Sequence, residues 1–140
     1  MKNTNTFGPH LMLDLHQCNR RKLRNFELIY DFLKEMPAKI GMTRISEPKV
    51  MKYKDRWART PGVTGFVILA ESHVSIHTFP DDDFVFIDIF SCRNFDYNAT
   101  KEYLIRFFES KSPKTHLVKR GQEFAKRPVI EKKVTAEVYA

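Results

Sequence analysis

A chain of 140 residues, 42% hydrophobic and 29% charged, has the size and composition of one folded domain, which excludes disorder, a fibrous repeat and the need for a second core. Its net charge of +7 raises nucleic-acid binding as a function class, yet the basic residues gather at 20–24 and in the C-terminal third without the interleaved aromatics of a stacking platform, which weighs against nucleic acid. No run approaches the ~18 apolar residues of a membrane helix, the polar start MKNTNTFGPH lacks the apolar core of a signal peptide, and two cysteines are too few for a disulfide framework, so a cytoplasmic protein with free thiols is expected.

Residues 7–15, FGPHLMLDL, set Leu11, Leu13 and Leu15 in alternation with Met12 and Asp14, the pattern of a half-buried first strand. His10 and His16 read there as ordinary surface at the strand ends. From Arg20 to Met36 the period changes. Phe26, Ile29, Tyr30 and Leu33 recur three and four apart, predicting one amphipathic helix capped by Asn19 or Asn25 and ended by Pro37 and Gly41. Residues 42–53 carry Ile45, Val50, Met51 and Tyr53 around Glu47-Pro48 and read as an irregular or edge strand, because proline cannot donate to an interior ladder. The charged loop 54–61 holds the sole tryptophan, Trp57, which reads as a packing anchor or as a cover over a flat or cationic ligand.

Apolar runs at 65–70, 74–79 and 84–90 are divided by Glu71-Ser72-His73 and Pro80-Asp81-Asp82-Asp83, predicting an antiparallel meander. Asp96 is placed to cap a second helix through Lys111, with Tyr103, Leu104, Phe107 and Phe108 as its core stripe, and residues 115–119 suit a last strand. The expected fold is therefore α+β: a two-layer sandwich of a mostly antiparallel sheet with two helices on one face. Residues 1–121 read as the single domain and 122–140 as a C-terminal tail.

Residues 62–92, GVTGFVILAESHVSIHTFPDDDFVFIDIFSC, place a Glu-Ser bond, two histidines and a thiol on short strands between tight turns, so their reactive side chains are expected close together. Taken singly these residues are bland, since a cysteine at a strand end is often a small buried hydrophobe and a histidine on a sheet is often structural. His73 and His77 are four apart in a strand rather than a helix and lack a third ligand at suitable spacing, so no metal is expected.

The sequence Glu71-Ser72-His73, with Ser75-Ile76-His77-Thr78-Phe79-Pro80 and Asp88-Ile89-Phe90-Ser91-Cys92, resembles the pyruvoyl-dependent S-adenosylmethionine decarboxylases of the bacterial and archaeal type. The likeness runs from Gly8-Pro9-His10-Leu11 to about Gly121. It implies that the chain cuts itself between Glu71 and Ser72, and that Ser72 becomes the pyruvoyl group that forms a Schiff base with the substrate. His77 is implied as the base of processing, Thr64 as a hydroxyl that assists it, and Cys92 as the proton donor in turnover. Thr64 stands where many members have serine.

Decarboxylating an α-amino acid needs an electron sink that unmodified side chains lack, and a pyruvoyl group is one. For a sulfonium adenosine substrate the resemblance places Phe79 and Asp81 at the binding site, with Trp57 nearby in the preceding loop. It also implies spermidine synthesis as the setting and a homodimer in which both chains contribute to each site. Two alternatives remain open from the residues: the same chemistry on arginine or ornithine, and a non-catalytic protein that binds through its basic surface.

Overall fold

The alternation of apolar residues seen in the sequence becomes six strands in the computed structural model, which describes residues 6–124. The strands are β1 (Gly8–His16), β2 (Lys49–Tyr53), β3 (Gly62–Ile68), β4 (Ser72–Phe79), β5 (Phe84–Ser91) and β6 (Ser112–Arg120). They form one sheet of order β2-β3-β4-β5-β1-β6 in which every pairing is antiparallel. The α+β two-layer sandwich is thus as expected, with three helices rather than two on its covered face: α1 (Arg20–Leu23), α2 (Phe26–Lys39) and α3 (Tyr97–Phe108).

The predicted helix over 20–36 divides because both asparagines act as caps. Asn19 accepts from the Lys22 amide, while Asn25 leaves helical geometry at φ −89°, ψ 100° and accepts from the Leu28 amide. Pro37 does not end α2 but lies in its last turn. The stop is at Gly41, φ +77°, where the Met42 amide donates to the Pro37 carbonyl and the Gly41 amide to that of Ala38, a Schellman closure. The third helix ends at Phe108 instead of Lys111, because Glu109 turns left-handed at φ 55°. The last strand begins three residues earlier than predicted, at Ser112.

Period-two parity assigns the sheet's two faces. Leu11, Leu13, Leu15, Val63, Val67, Val74, Ile76, Val85, Ile87 and Ile89 are buried in one core with Leu23, Ile29, Phe32, Leu33 and Met36 of α1 and α2 and Leu104 and Phe108 of α3. Gly65 lets α2 come this close, since a Cβ there would lie 2.5 Å from Leu33 Cδ1. Thr78 ties α1 to the sheet: its buried hydroxyl donates to the Leu23 carbonyl at 2.7 Å and accepts from the Val63 amide at 2.8 Å.

Among the described residues no helix lies over the opposite face. By parity it presents Met51, Thr64, Phe66, Ile68, His73, Ser75, His77, Phe79, Phe84, Phe86, Asp88 and Phe90, several of them large hydrophobics open to solvent. His10 departs from the surface role read for it. Its ring lies 5.5 Å from that of Phe90, its Nε2 is sealed off without a hydrogen-bond partner, and burial pushes its pKa down. His16 is exposed and stacks on Phe84 at 5.0 Å. The predicted tail is described only to 124, where Phe124 meets Phe7 edge-on at 4.9 Å, and 125–140 lie outside the described residues.

Replacing Thr78 by valine keeps the shape but leaves the Val63 amide and Leu23 carbonyl unpaired in the core. Each such buried group costs ~1–3 kcal/mol, so Thr78→Val should lose about 3 kcal/mol in urea denaturation. A loss below about 0.5 kcal/mol would mean that the hydroxyl is not what anchors α1.

Candidate active site

Leu69 to Ser72 make the corner between β3 and β4, and three hydrogen bonds fix it. The Leu69 amide donates to the Ser72 carbonyl at 3.0 Å, the Ala70 amide to Thr43 at 2.8 Å, and the Cys92 amide to the Glu71 carbonyl at 2.8 Å. The Glu71 side chain turns inward and is only 1% exposed. Its carboxylate accepts from the Thr43 amide at 2.9 Å and pairs with Arg93 at 3.5 Å. Ser72 opens β4 opposite Ser91, so the Glu71–Ser72 peptide lies directly across the ladder from Cys92.

Cys92 is exposed, and burial of its sulfur, followed by the nearby Glu71 carboxylate, pushes the thiol pKa above its ordinary value. That direction favours the protonated thiol over the thiolate at neutral pH. Cys18 is a buried hydrophobe whose pKa burial raises to about 11.

Thr64 and His77 are cross-strand partners on the uncovered face, with Thr64 Oγ1 and His77 Nδ1 3.3 Å apart. Phe79 follows on that face, edge-on to Phe86 at 5.7 Å. Asp81 sits in the 3-10 turn Pro80–Asp82 and accepts from the Arg59 amide at 2.7 Å and the Thr60 amide at 3.2 Å. The bond from Arg59 holds its carboxyl below the usual range. Asp55 accepts from the Trp57 and Ala58 amides, so two aspartates shape the loop that carries Trp57. The indole is 79% exposed, with the Arg56 guanidinium 4.6 Å from its centre. Trp57 is thus no packing anchor, and both oxygens of Asp81 are already engaged by the chain.

The residues expected close together fall into two groups. Ser72 and Cys92 meet at one end of β4, with Glu71, while Thr64, His77 and Phe79 lie toward the other, beside the Asp81 and Trp57 loop. Five residues of strand separate Ser72 from His77, roughly 17 Å at ~3.3 Å per residue, and an odd spacing points them to opposite faces. Within one chain His77 does not reach Ser72. Arg93 and Thr43 were not singled out from the sequence; a basic residue directly after the cysteine was the one available signal. Among the described residues no group of three or more His, Cys, Asp or Glu side chains is placed to hold a metal, and no helix is long and apolar enough to cross a membrane.

Residues 9–121 match the family model described as S-adenosylmethionine decarboxylase. The chain is similar to the S-adenosylmethionine decarboxylase proenzyme of Thermodesulfovibrio yellowstonii, 32% identical over 115 residues and 81% of each chain. It is similar also to that of Geobacillus kaustophilus, 30% identical over 131 residues, 94% of this chain and 98% of the relative. Among solved structures, the adenosylmethionine decarboxylase from Aquifex aeolicus VF5 superposes with a TM-score of 0.70 at 27% identity, covering 94% of this chain and 98% of that one.

The raised thiol pKa gives a direct test. Iodoacetamide should modify Cys92 slowly at pH 7 and reach half its limiting rate above the ~8.5 of a free cysteine, with Cys18 unmodified in the folded protein. A midpoint at or below that of free cysteine would remove the upward shift.

Proposed function

The chain belongs to the S-adenosylmethionine decarboxylase family, and we propose from that premise that it cuts itself at Glu71–Ser72 and then releases the carboxylate of S-adenosylmethionine as CO2, supplying spermidine synthesis. The observation that carries the reading is the Glu71–Ser72 peptide fixed in a corner, its carbonyl already hydrogen-bonded to the Cys92 amide. Residues 1–121 are the decarboxylase domain and 122–140 its tail. The cytoplasm, a reducing compartment, keeps Cys92 a thiol.

Self-processing uses the chain's own groups. Ser72 Oγ adds to the Glu71 carbonyl carbon, the C–N bond breaks with the proton going to nitrogen, and the peptide becomes an ester. His77 then removes the Ser72 α-proton, the Cβ–Oγ bond breaks, and Glu71 leaves as a carboxylate. The dehydroalanine left behind takes up water and loses ammonia, giving a pyruvoyl end on the 72–140 chain. That group supplies the electron sink for decarboxylation. Ser72 and Cys92 at one corner suit this assignment, since the Cys92 thiol can return a proton to the substrate α-carbon. Thr64 orients His77 through their 3.3 Å contact.

Because His77 lies some five residues along β4 from its own Ser72, the base in this account is the partner's His77. The uncovered sheet face supplies the surface, with Met51, Phe66, Ile68, Phe79 and Phe86 exposed on it. A two-fold axis running across the strands sets β4 against a reversed copy of itself. The Ser72 and Cys92 end of one chain then lies over the Thr64, His77 and Phe79 end of the other. Since the Ser72 side chain has core parity, it is the Ser72 backbone, with the α-proton that His77 removes, that this packing presents to the imidazole. An axis along the strands would instead bring like ends together and complete neither site. Phe79 is the stacking face for the adenine, and Trp57 borders it. Asp81 contributes by holding the Trp57 loop, its oxygens being bonded to Arg59 and Thr60.

On denaturing gels the purified protein should run as chains 1–71 and 72–140. Ser72→Ala should stay whole and inactive, His77→Ala should stay whole, and Cys92→Ala should be cut yet turn over at least ~10²-fold more slowly. Co-expressing Ser72→Ala with His77→Ala should restore cleavage of the His77→Ala chain alone, since a mixed dimer has one intact pair; no restoration would place both groups in one chain.

Release of labelled CO2 should be far faster from S-adenosylmethionine than from arginine or ornithine. Phe79→Ala should mainly raise KM, because stacking remote from the reacting carbon is present in ground and transition states alike. A preference for arginine would overturn the substrate while sparing the chemistry.

A further inference from the structure

Glu71 has to contribute only a carbonyl to the cut, yet its side chain is the most deeply buried carboxylate among the described residues. Burying a charge is costly unless it is paired and hydrogen-bonded, so a carboxylate held at this bond has partners that fix its position. They come from two segments. The Thr43 amide donates to Oε1 at 2.9 Å, and Arg93 Nη1 lies 3.5 Å from Oε2. Arg93 is itself held: Ser91 Oγ, fully buried, accepts from the Arg93 amide at 2.9 Å and donates to its carbonyl at 2.8 Å. Consecutive residues thus grip Glu71 at both ends, Cys92 by the carbonyl and Arg93 by the carboxylate.

We propose that Arg93 is a positioning residue for self-cleavage, which by holding the buried Glu71 carboxylate keeps the Glu71 carbonyl oxygen against the Cys92 amide. The inference rests on the self-processing reading. As Ser72 Oγ adds, the negative charge develops on the Glu71 oxygen, and the Cys92 N–H is a fixed donor aimed at it. The donor is already 2.8 Å from the ground-state carbonyl oxygen, and its worth to the developing oxyanion depends on not having to reorganise. Freeing the carboxylate lets Glu71 rotate about its backbone to find water, and the carbonyl swings off the Cys92 amide with it. Arg93 has a second task once the bond is cut. Glu71 then ends in two carboxylates, and the guanidinium is the cation that keeps the new chain end seated.

The test is the half-time of cleavage in freshly translated chains, followed on denaturing gels. Arg93→Met should lengthen it by about 10²-fold, the cost of a reacting group misplaced by about an ångström, and Arg93→Lys should recover a large part. Glu71→Gln removes the buried charge but keeps an acceptor for Thr43. Adding Arg93→Met to Glu71→Gln should then slow cleavage by less than about threefold, a non-additivity that a general loss of stability would not produce. Melting of the same variants on a Ser72→Ala background, which stays whole, reports whether each is folded.

Cleavage of Arg93→Met at the wild-type rate, or an Arg93→Met effect undiminished by Glu71→Gln, overturns the proposal while wild-type cleavage still supports self-processing. If Arg93→Met does not fold, Glu71→Gln, which breaks the same pair from the other side, takes its place, and a wild-type cleavage rate in that variant overturns the proposal equally. A wild-type chain that never cuts is the separate outcome that removes the self-processing reading and this inference with it.

Discussion

Antiparallel pairing of β4 with β5 runs from Phe79 opposite Phe84 to Ser72 opposite Ser91, and the next amide along the ladder, that of Cys92, donates to the Glu71 carbonyl. No bulge interrupts it, so the turn at Pro80–Asp82 and the hydrophobic alternation fix which residue faces the Glu71–Ser72 bond eight positions away. A slip of β5 by one residue would move Val85, Ile87 and Ile89 out of the core and carry Cys92 off the corner. The core therefore enforces the register that the chemistry needs. Burial of those three aliphatic side chains, each worth roughly 1.5–3 kcal/mol, outweighs any local preference of the polar residues between them.

The same alternation separates tasks by face. Residues of one parity meet the helices and form the core, while the other parity carries Thr64, His73, Ser75, His77 and Asp88 among aromatic rings. Polar groups on an open sheet stay hydrated, and their hydrogen bonds are weak. Were a second sheet to cover them, as in the proposed dimer, water would leave and each would become stronger, which is where His77 and its Thr64 partner would gain effect. An apolar surface that looks unfinished on one chain thus has a physical use in the site itself. Asp88 would be covered along with it, and Ser75, its cross-strand neighbour, is the hydroxyl beside it.

The sheet, the edge position of β2 and the stripes of the helices were legible because periodicity reports burial directly. Less legible were the features decided by single hydrogen bonds. Two asparagines six apart each qualify as a cap, and only the structure shows that both serve and so divide the helix. Pro37 reads as a stop, yet it is tolerated in the last turn because Gly41 supplies the left-handed residue that ends α2. At the site, Ser72, His77 and Cys92 were singled out through the family resemblance, since taken singly each is an ordinary residue. Their separation was also available from spacing, since an odd step of five in a strand cannot bring two side chains together. Asp81 was implied as a substrate ligand by its position in the family resemblance, and its two bonds from backbone amides 21 and 22 residues earlier leave no local pattern that would reveal them. The Arg93–Glu71 pair spans 22 residues and leaves no local pattern.

Where the chain is cut matters as much as how. A break between Glu71 and Ser72 leaves β1, β2 and β3 on the first piece and β4, β5 and β6 on the second. In the order β2-β3-β4-β5-β1-β6 the pieces do not lie side by side, because β1 of the first is inserted between β5 and β6 of the second. Three ladders, β3 with β4, β5 with β1 and β1 with β6, therefore join the pieces. Leu11, Leu13 and Leu15 bury themselves against Ile87 and Ile89 from across the cut. Separating the pieces would expose the core and unpair β1 along both edges, which is the cost of unfolding the domain rather than of opening an interface. The fold thus tolerates the loss of one peptide bond at this corner, which is what the proposed self-cleavage requires of it.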